Sequence, residues 1–189
     1  MTYWLSISIY PNITINKNTL HRQSHMNALS YRIINLITAL GCGMALLFAV
    51  FYLQDHLGLK PCYLCITQRF FVTATGLLFL LAAIHNNFGM PRFIYASLSC
   101  MFAMGGAFFA MKQLWLQSLS EDQIPSCGPP VEYVFEAFSA SEIITILLSG
   151  DGNCSEVQWL FLGLSIPGWV LIGCIMLLAL SMYQLLRKE

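Results

Sequence analysis

Apolar residues along this chain fall in runs rather than in alternation. Four stretches, Ile33–Leu53, Leu64–Ile84, Phe93–Leu114 and Trp169–Leu186, hold only two charged side chains between them, Arg69 and Lys112. A soluble amphipathic helix returns to polar residues once per turn, and a half-buried strand does so at every second position. Neither pattern governs these stretches. At about 1.5 Å of rise per residue, each run is long enough to cross a hydrocarbon core of about 30 Å. The pattern predicts an all-α membrane protein, a four-transmembrane-helix bundle running up and down. Its first and third connections lie on one side of the membrane, and the third, Leu116–Ser165, is long. Within it Val131, Val134, Phe135 and Phe138 recur at helical spacing, with Glu132 and Glu136 on the other face. That segment is a candidate for a short helix on the membrane surface, the alternative being a small packed loop domain.

Composition agrees with the runs. The chain is 57% hydrophobic and 10% charged, where soluble domains carry roughly a quarter of charged residues. Net charge is zero, so no electrostatic argument points to nucleic acid. The lipid bilayer is the partner this composition implies. Residues 1–25 differ. They are polar, contain Pro11 and lack the apolar core of a signal peptide. They form a separate N-terminal extension, either a cytoplasmic tail without structure or a stretch ahead of a start at Met26, and residues 26–189 form the membrane domain.

Charge fixes the orientation. Lys17, Arg22, Arg32, Arg92, Arg187 and Lys188 flank one side of the predicted bundle. The long third connection carries Glu121, Asp122, Glu132, Glu136, Glu142, Asp151 and Glu156 and no Lys or Arg. By the positive-inside rule both termini are cytoplasmic. In a bacterium this means an inner-membrane protein whose two outer loops face an oxidising periplasm, where disulfides persist.

The seven cysteines divide by position. Cys42, Cys100 and Cys174 lie inside apolar runs and read as small buried hydrophobes. Cys62, Cys65, Cys127 and Cys154 all fall on the outer side. Their natural pairing is Cys62 with Cys65 and Cys127 with Cys154, although four cysteines allow three connectivities. A bridge between cysteines three apart constrains almost no loop, so a purely structural staple suits the first pair poorly. Neighbouring thiols that attack and resolve one another suit it better. A four-cysteine zinc site has the right ligand count but leaves Arg69 unexplained.

Pro61 sits where a helix can begin. Cys62, Cys65 and Arg69 then share one helical face, with Arg69 about 6 Å deeper than Cys65. The helix N-terminus and the guanidinium both favour a thiolate, and Cys65 is the better placed to carry it. An ionisable residue inside a span is a functional-site hypothesis, against the alternative that Arg69 merely lifts its head to the interface. A dithiol here needs an acceptor for two electrons, and no haem or flavin motif is present. A lipid-soluble quinone, ubiquinone or menaquinone, meets that need from within the bilayer.

"KPCYLCITQR", "PSCGPP" and "GNCSEVQWLFLGLSIPGWVL" resemble the loop motifs of the DsbB family, membrane quinone reductases that reoxidise the periplasmic thiol oxidase DsbA. The resemblance covers the chain from about Asn27 onward, and the long N-terminal extension departs from it. It implies that Cys127 is attacked by reduced DsbA and that Cys154 is its partner, able to exchange with Cys62. It implies that Cys65 faces the quinone and forms a charge-transfer or covalent adduct with it. Arg69 would then stabilise both the thiolate and the developing quinone anion. Two other readings stand beside it. One is a quinone-linked oxidoreductase resembling vitamin K epoxide reductases, in which the C-x-x-C is expected at a later span. The other is a non-enzymatic membrane protein with structural disulfides or a metal site. Pro167 is expected to open the fourth span, with Trp159 and Trp169 as interfacial anchors. Gly41, Gly43, Gly105 and Gly106 are expected where helices approach closely.

Overall fold

The computed structural model describes residues 17–85 and 90–186; the start of the N-terminal extension and the basic pair Arg187 and Lys188 lie outside them. Helix α1, Lys17–Leu47, continues without a break into a π-helical segment, Phe48–His56. The later part of the extension, from Lys17, is therefore helical. Gly58 at φ +65° ends this element, and Leu59 N–H returns to the Leu53 carbonyl at 3.1 Å, the left-handed glycine exit of many helices. Helices α2 (Tyr63–His85) and α3 (Met90–Gln117) follow. The long third connection holds α4 (Val131–Ala137), α5 (Ala140–Ser149) and a hairpin of β1 (Leu160–Phe161) with β2 (Leu164–Ser165). Helix α6, Ile166–Leu186, completes the chain, with Pro167 in its first turn, where a missing N–H costs nothing.

The segments Tyr31–His56, Tyr63–His85, Met90–Gln117 and Ile166–Leu186 are long and apolar enough to cross a membrane. They match the four runs read from sequence. Their outward side chains, such as Ile37, Met44, Phe93 and Met176, are more than half exposed, a surface suited to lipid rather than water. Helix α1 packs on α2, α2 on α3, and α3 on α6. Cys42, Phe79, Ala103 and Leu177 form the core between them. At the end away from the cysteine motifs, Arg92 Nη2 donates to the Gln184 carbonyl at 2.8 Å and lies over the Tyr31 ring. There Gln184 also donates to Asn35 Oδ1 at 2.7 Å, tying α6 to α1. Towards the other end a cavity opens between α1 and α6.

Close helix approach occurs at two of the four glycines expected, Gly105 and Gly106, and at Gly76 rather than at Gly41 or Gly43. A Cβ on Gly106 would lie 2.9 Å from Cys174 Sγ, and one on Gly105 would strike the Phe71 ring. Gly41 and Gly43 meet nothing within 4 Å, whereas a Cβ on Gly76 would lie 2.8 Å from that of Cys42. Cys42 and Cys174 thus act through their small size at two helix crossings. Cys100 reaches Met182 Sδ at 3.9 Å. Replacing all three by Ala is expected to leave thiol oxidation near the parent rate while lowering stability by roughly 1–3 kcal/mol in total through small cavities. Thermal unfolding in detergent and an oxidation assay check this, and a well-folded triple variant without activity would refute it.

The third connection forms two short helices rather than one. Phe138 is extended (φ −112°, ψ 153°), and Ser139 begins a new helix. Glu142 accepts from the Ser139 backbone N–H at 2.9 Å and from its hydroxyl at 2.7 Å, completing a capping box. These bonds hold the Glu142 carboxyl below its ordinary value. Val134 is fully buried while Phe135 is about half exposed, so the apolar positions of α4 do not all face one way.

Candidate functional site

The end of the bundle nearest the long third connection gathers three sulfurs. Cys62 precedes α2, and its carbonyl accepts from Ile66 N–H at 3.1 Å. It therefore caps the helix, and Pro61 stands just before the cap rather than in the first turn. One turn on, Cys65 Sγ lies 3.0 Å from Cys62 Sγ. Cys154 arrives from the long connection, in a single 3₁₀ turn over Gly152–Ser155. It is fully buried and shares a hydrogen bond with Cys62. Cys62, Leu64, Leu116 and Cys154 together make a second small core. All seven cysteines are free thiols in this structure.

The cluster is electrostatically asymmetric. Hydrogen bonds to Cys154 and Cys65, with burial, push the Cys62 thiol far above its ordinary range. The bond from Cys62 pulls Cys154 below its ordinary value, against the opposing effect of burial. Cys62 therefore keeps its proton and donates it, and Cys154 is the sulfur that more readily carries charge.

Cys127 stands apart and exposed, yet its segment is tethered beside the Cys154 turn. Gly128 N–H donates to Asp151 Oδ2 at 2.8 Å, and the Cys154 thiol donates to Asp151 Oδ1 at 3.3 Å. Gly152 N–H donates to the Ser126 carbonyl at 3.3 Å. Gly152 has no room for a side chain, because a Cβ would strike the Pro125 carbonyl and sit 3.1 Å from Cys127 Sγ. On its other side the segment receives a hydrogen bond from the Tyr63 hydroxyl to the Pro129 carbonyl. The prolines of "IPSCGPP" keep it extended between these anchors.

Arg69 does not lie against the sulfurs. Its Nη1 donates to Gln54 Oε1 at 2.9 Å and its Nη2 to the Ala49 carbonyl at 3.1 Å. Both acceptors belong to the π-helical segment. The guanidinium thus spans α2 and the first membrane segment, at the edge of a cavity of about 100 Å³. Leu53, Leu59, Val72 and Val170 give this cavity aliphatic walls, and Cys65, Gln68 and Arg69 give it a polar edge. Such a cleft fits a flat apolar ring bearing carbonyl acceptors.

Gln113 and Asp151 fall in none of the quoted motifs, and Gln68 lies within "KPCYLCITQR" without a role read from sequence. Gln113 is 3% exposed and Gln68 2% exposed, both inside spans, and Gln113 touches Cys62 and Cys65. Asp151 is 6% exposed. A signal existed for the glutamines, since a polar residue within an apolar run faces the bundle interior.

The hairpin beside the cavity turns through Leu162 (φ 51°) and Gly163 (φ 81°), the two left-handed residues of a tight two-residue turn. Trp159 stacks on Phe161 at 5.6 Å between ring centres. Trp169 Nε1 donates to the Phe161 carbonyl at 3.1 Å. The two tryptophans expected as anchors thus flank one aromatic patch.

The family model for disulfide bond formation protein DsbB matches residues 31–184. Proteins named disulfide bond formation protein B are similar over most of their length. That of Saccharophagus degradans is 46% identical over 159 residues, covering 84% of this chain and 95% of that protein. That of Hahella chejuensis is 49% identical over 138 residues, covering 73% and 84% respectively. That of Stutzerimonas stutzeri is 45% identical over 148 residues, covering 78% and 91%. No solved structure matches the chain. With the C-x-x-C, the proline-flanked cysteine and the buried third cysteine all inside the matched range, this chain belongs to the DsbB family.

Proposed function

We propose that the protein is a membrane thiol oxidase that reoxidises a DsbA-type dithiol protein and passes the electrons to a membrane quinone, ubiquinone or menaquinone. The observation that carries the reading is the line of sulfurs, Cys154 to Cys62 to Cys65, which ends at the cleft edged by Arg69. In the working cycle Cys127 pairs with Cys154 and Cys62 with Cys65. The partner's thiolate attacks Cys127, the exposed member. The Cys127–Cys154 bond breaks and its electron pair leaves on Cys154. Cys154, held against Cys62, attacks it; the Cys62–Cys65 bond breaks and Cys65 takes the electron pair. The partner's second thiol then displaces Cys127 and leaves as an oxidised protein. Cys127 in turn attacks Cys154, restoring that bond and releasing Cys62.

A quinone supplies the acceptor for the two electrons and two protons released as Cys62 and Cys65 close again. Arg69 is the donor suited to its carbonyl oxygens, and the aliphatic walls suit its ring. Arg69 also offers fixed positive charge where negative charge develops, in a medium where charge acts strongly. The basic and acidic flanks support an orientation with both termini cytoplasmic and the cysteine loops periplasmic, in the inner membrane.

The test is stoichiometric. Purified protein in detergent, given a reduced DsbA-type protein and excess quinone, is expected to form one quinol per dithiol oxidised, read from the quinone absorbance and thiol titration. Thiol loss without quinol formation, or no thiol loss, would overturn the assignment.

A further inference from the structure

The buried glutamine pair fixes its own orientation. The Phe109 backbone carbonyl can only accept, so the Gln68 side-chain atom 3.3 Å from it is the amide nitrogen. That same nitrogen lies 2.8 Å from a Gln113 side-chain atom, which must then be the carbonyl oxygen. Gln113 is thereby left with its NH₂ turned to the sulfurs, 3.3 Å from Cys62 Sγ and 3.4 Å from Cys65 Sγ. One donor group serves both atoms of the pair. The Gln113 carbonyl oxygen, 3.6 Å from Cys65 Sγ, accepts from that thiol while it holds its proton, and the NH₂ beside it faces both sulfurs; a carboxamide keeps its donor at every pH.

Cys62 and Cys65 also bear opposite needs within one cycle. When the bond between them breaks, the electron pair leaves on Cys65. When Cys127 later displaces Cys62 from Cys154, the new thiolate is on Cys62. Arg69 is engaged with Gln54 and Ala49 of the π-helical segment. Gln113 is the group that touches both sulfurs.

We propose that Gln113 is a catalytic residue that donates a hydrogen bond to whichever of Cys62 and Cys65 carries the electron pair, and that Gln68 is a positioning residue that keeps the Gln113 NH₂ turned to the sulfurs. This rests on the relay described above for its place in the cycle, but not for the bond itself. A donor so placed stabilises the thiolate as it forms and asks for no proton transfer. Gln68 acts only through Gln113: the Phe109 carbonyl holds one of its hydrogens and Gln113 receives the other.

The decisive experiment uses neither quinone nor partner. The full-length protein is reduced in detergent, and alkylation of each cysteine by iodoacetamide is followed against pH by mass spectrometry. Losing a hydrogen bond to an ionised group corresponds to about a ten-fold change in equilibrium. Gln113→Leu is therefore expected to lower Cys65 labelling near neutral pH about ten-fold and to move its pH profile upward. Gln113→Glu, of nearly the same shape but with no donor and a negative charge, is expected to lower it further. Gln68→Leu, which touches neither sulfur, is expected to give a smaller loss in the same direction. Cys127 labelling serves as the control and stays at the parent level. A folded Gln113→Leu or Gln113→Glu variant with the parent's Cys65 profile would overturn the donor role. A Gln68→Leu variant with the parent's profile would overturn the orienting role. Should the labelling shift appear in a protein that forms no quinol, the relay falls and the hydrogen bond stands. If quinol forms and no variant shifts labelling, the reverse holds.

Discussion

Cys154→Ser is expected to reduce oxidation of a DsbA-type partner by about a thousand-fold or more, the scale on which losing a covalent step differs from slowing it. The substitution is conservative in shape, and a hydroxyl can still accept the bond that Cys62 offers. The fold around Leu64 and Leu116 should therefore survive, and the loss reports chemistry. Without Cys154 no disulfide offers Cys127 to the partner's thiolate, and no sulfur from the loop reaches Cys62. The Cys62–Cys65 dithiol, reduced beforehand, should still be reoxidised when quinone is added. Stopped-flow thiol titration separates the two half-reactions. The fully reduced protein also carries a pH signature: the Cys62 thiol depresses the Cys154 pKa, so alkylation of Cys154 should persist below the ordinary thiol range and fall as pH drops through the lowered value. A Cys154→Ser protein that oxidises the partner at the parent rate would mean that electrons reach Cys62 without the loop.

The second large effect is expected at Arg69. Arg69→Ala should raise the apparent Michaelis constant for quinone by roughly ten- to a hundred-fold, the range for losing a hydrogen bond to a charged group. Partner exchange at Cys127 should be nearly unchanged, because Asp151 and Tyr63 hold that segment and Arg69 does not. Arg69→Lys should recover only part of the loss. The guanidinium uses two nitrogens on two acceptors of the π-helical segment, and an ammonium on a shorter stem keeps the charge but not the fork. Initial rates against quinone concentration in detergent measure this directly. An alanine variant with the parent's Michaelis constant and turnover would make Arg69 an interface residue that only ties α2 to the first span.

The spans were legible because a run of apolar residues is itself the physical requirement for crossing a bilayer. The C-x-x-C and its arginine were legible because helical spacing places them locally. What local spacing leaves open is the partner across space. Gln113 meets Gln68 over a separation of 45 residues, and Asp151 meets Gly128 over 23; no periodicity encodes either meeting. Glycines tell the same story. A small residue permits close approach without naming a neighbour, so Gly106 has one in Cys174 while Gly41 faces open space. Arg69 shares a helical face with Cys65 in projection, yet its long side chain turns to Gln54. In the third connection, apolar spacing alone predicts one helix, whereas the Ser139–Glu142 capping box is the local signal that starts a second.

The cavity between α1 and α6 has one more consequence, which concerns traffic. A reactant dissolved in lipid reaches it sideways, by diffusion in a plane, from a store that moves with the protein. A reactant in the aqueous phase meets Cys127 from above, on a segment with Asp151 on one side and Tyr63 on the other. Cys127 does not line that cavity. In the proposed cycle neither visitor has to leave before the other arrives, so the supply of oxidant would follow membrane composition rather than how crowded the loop side is with thiols.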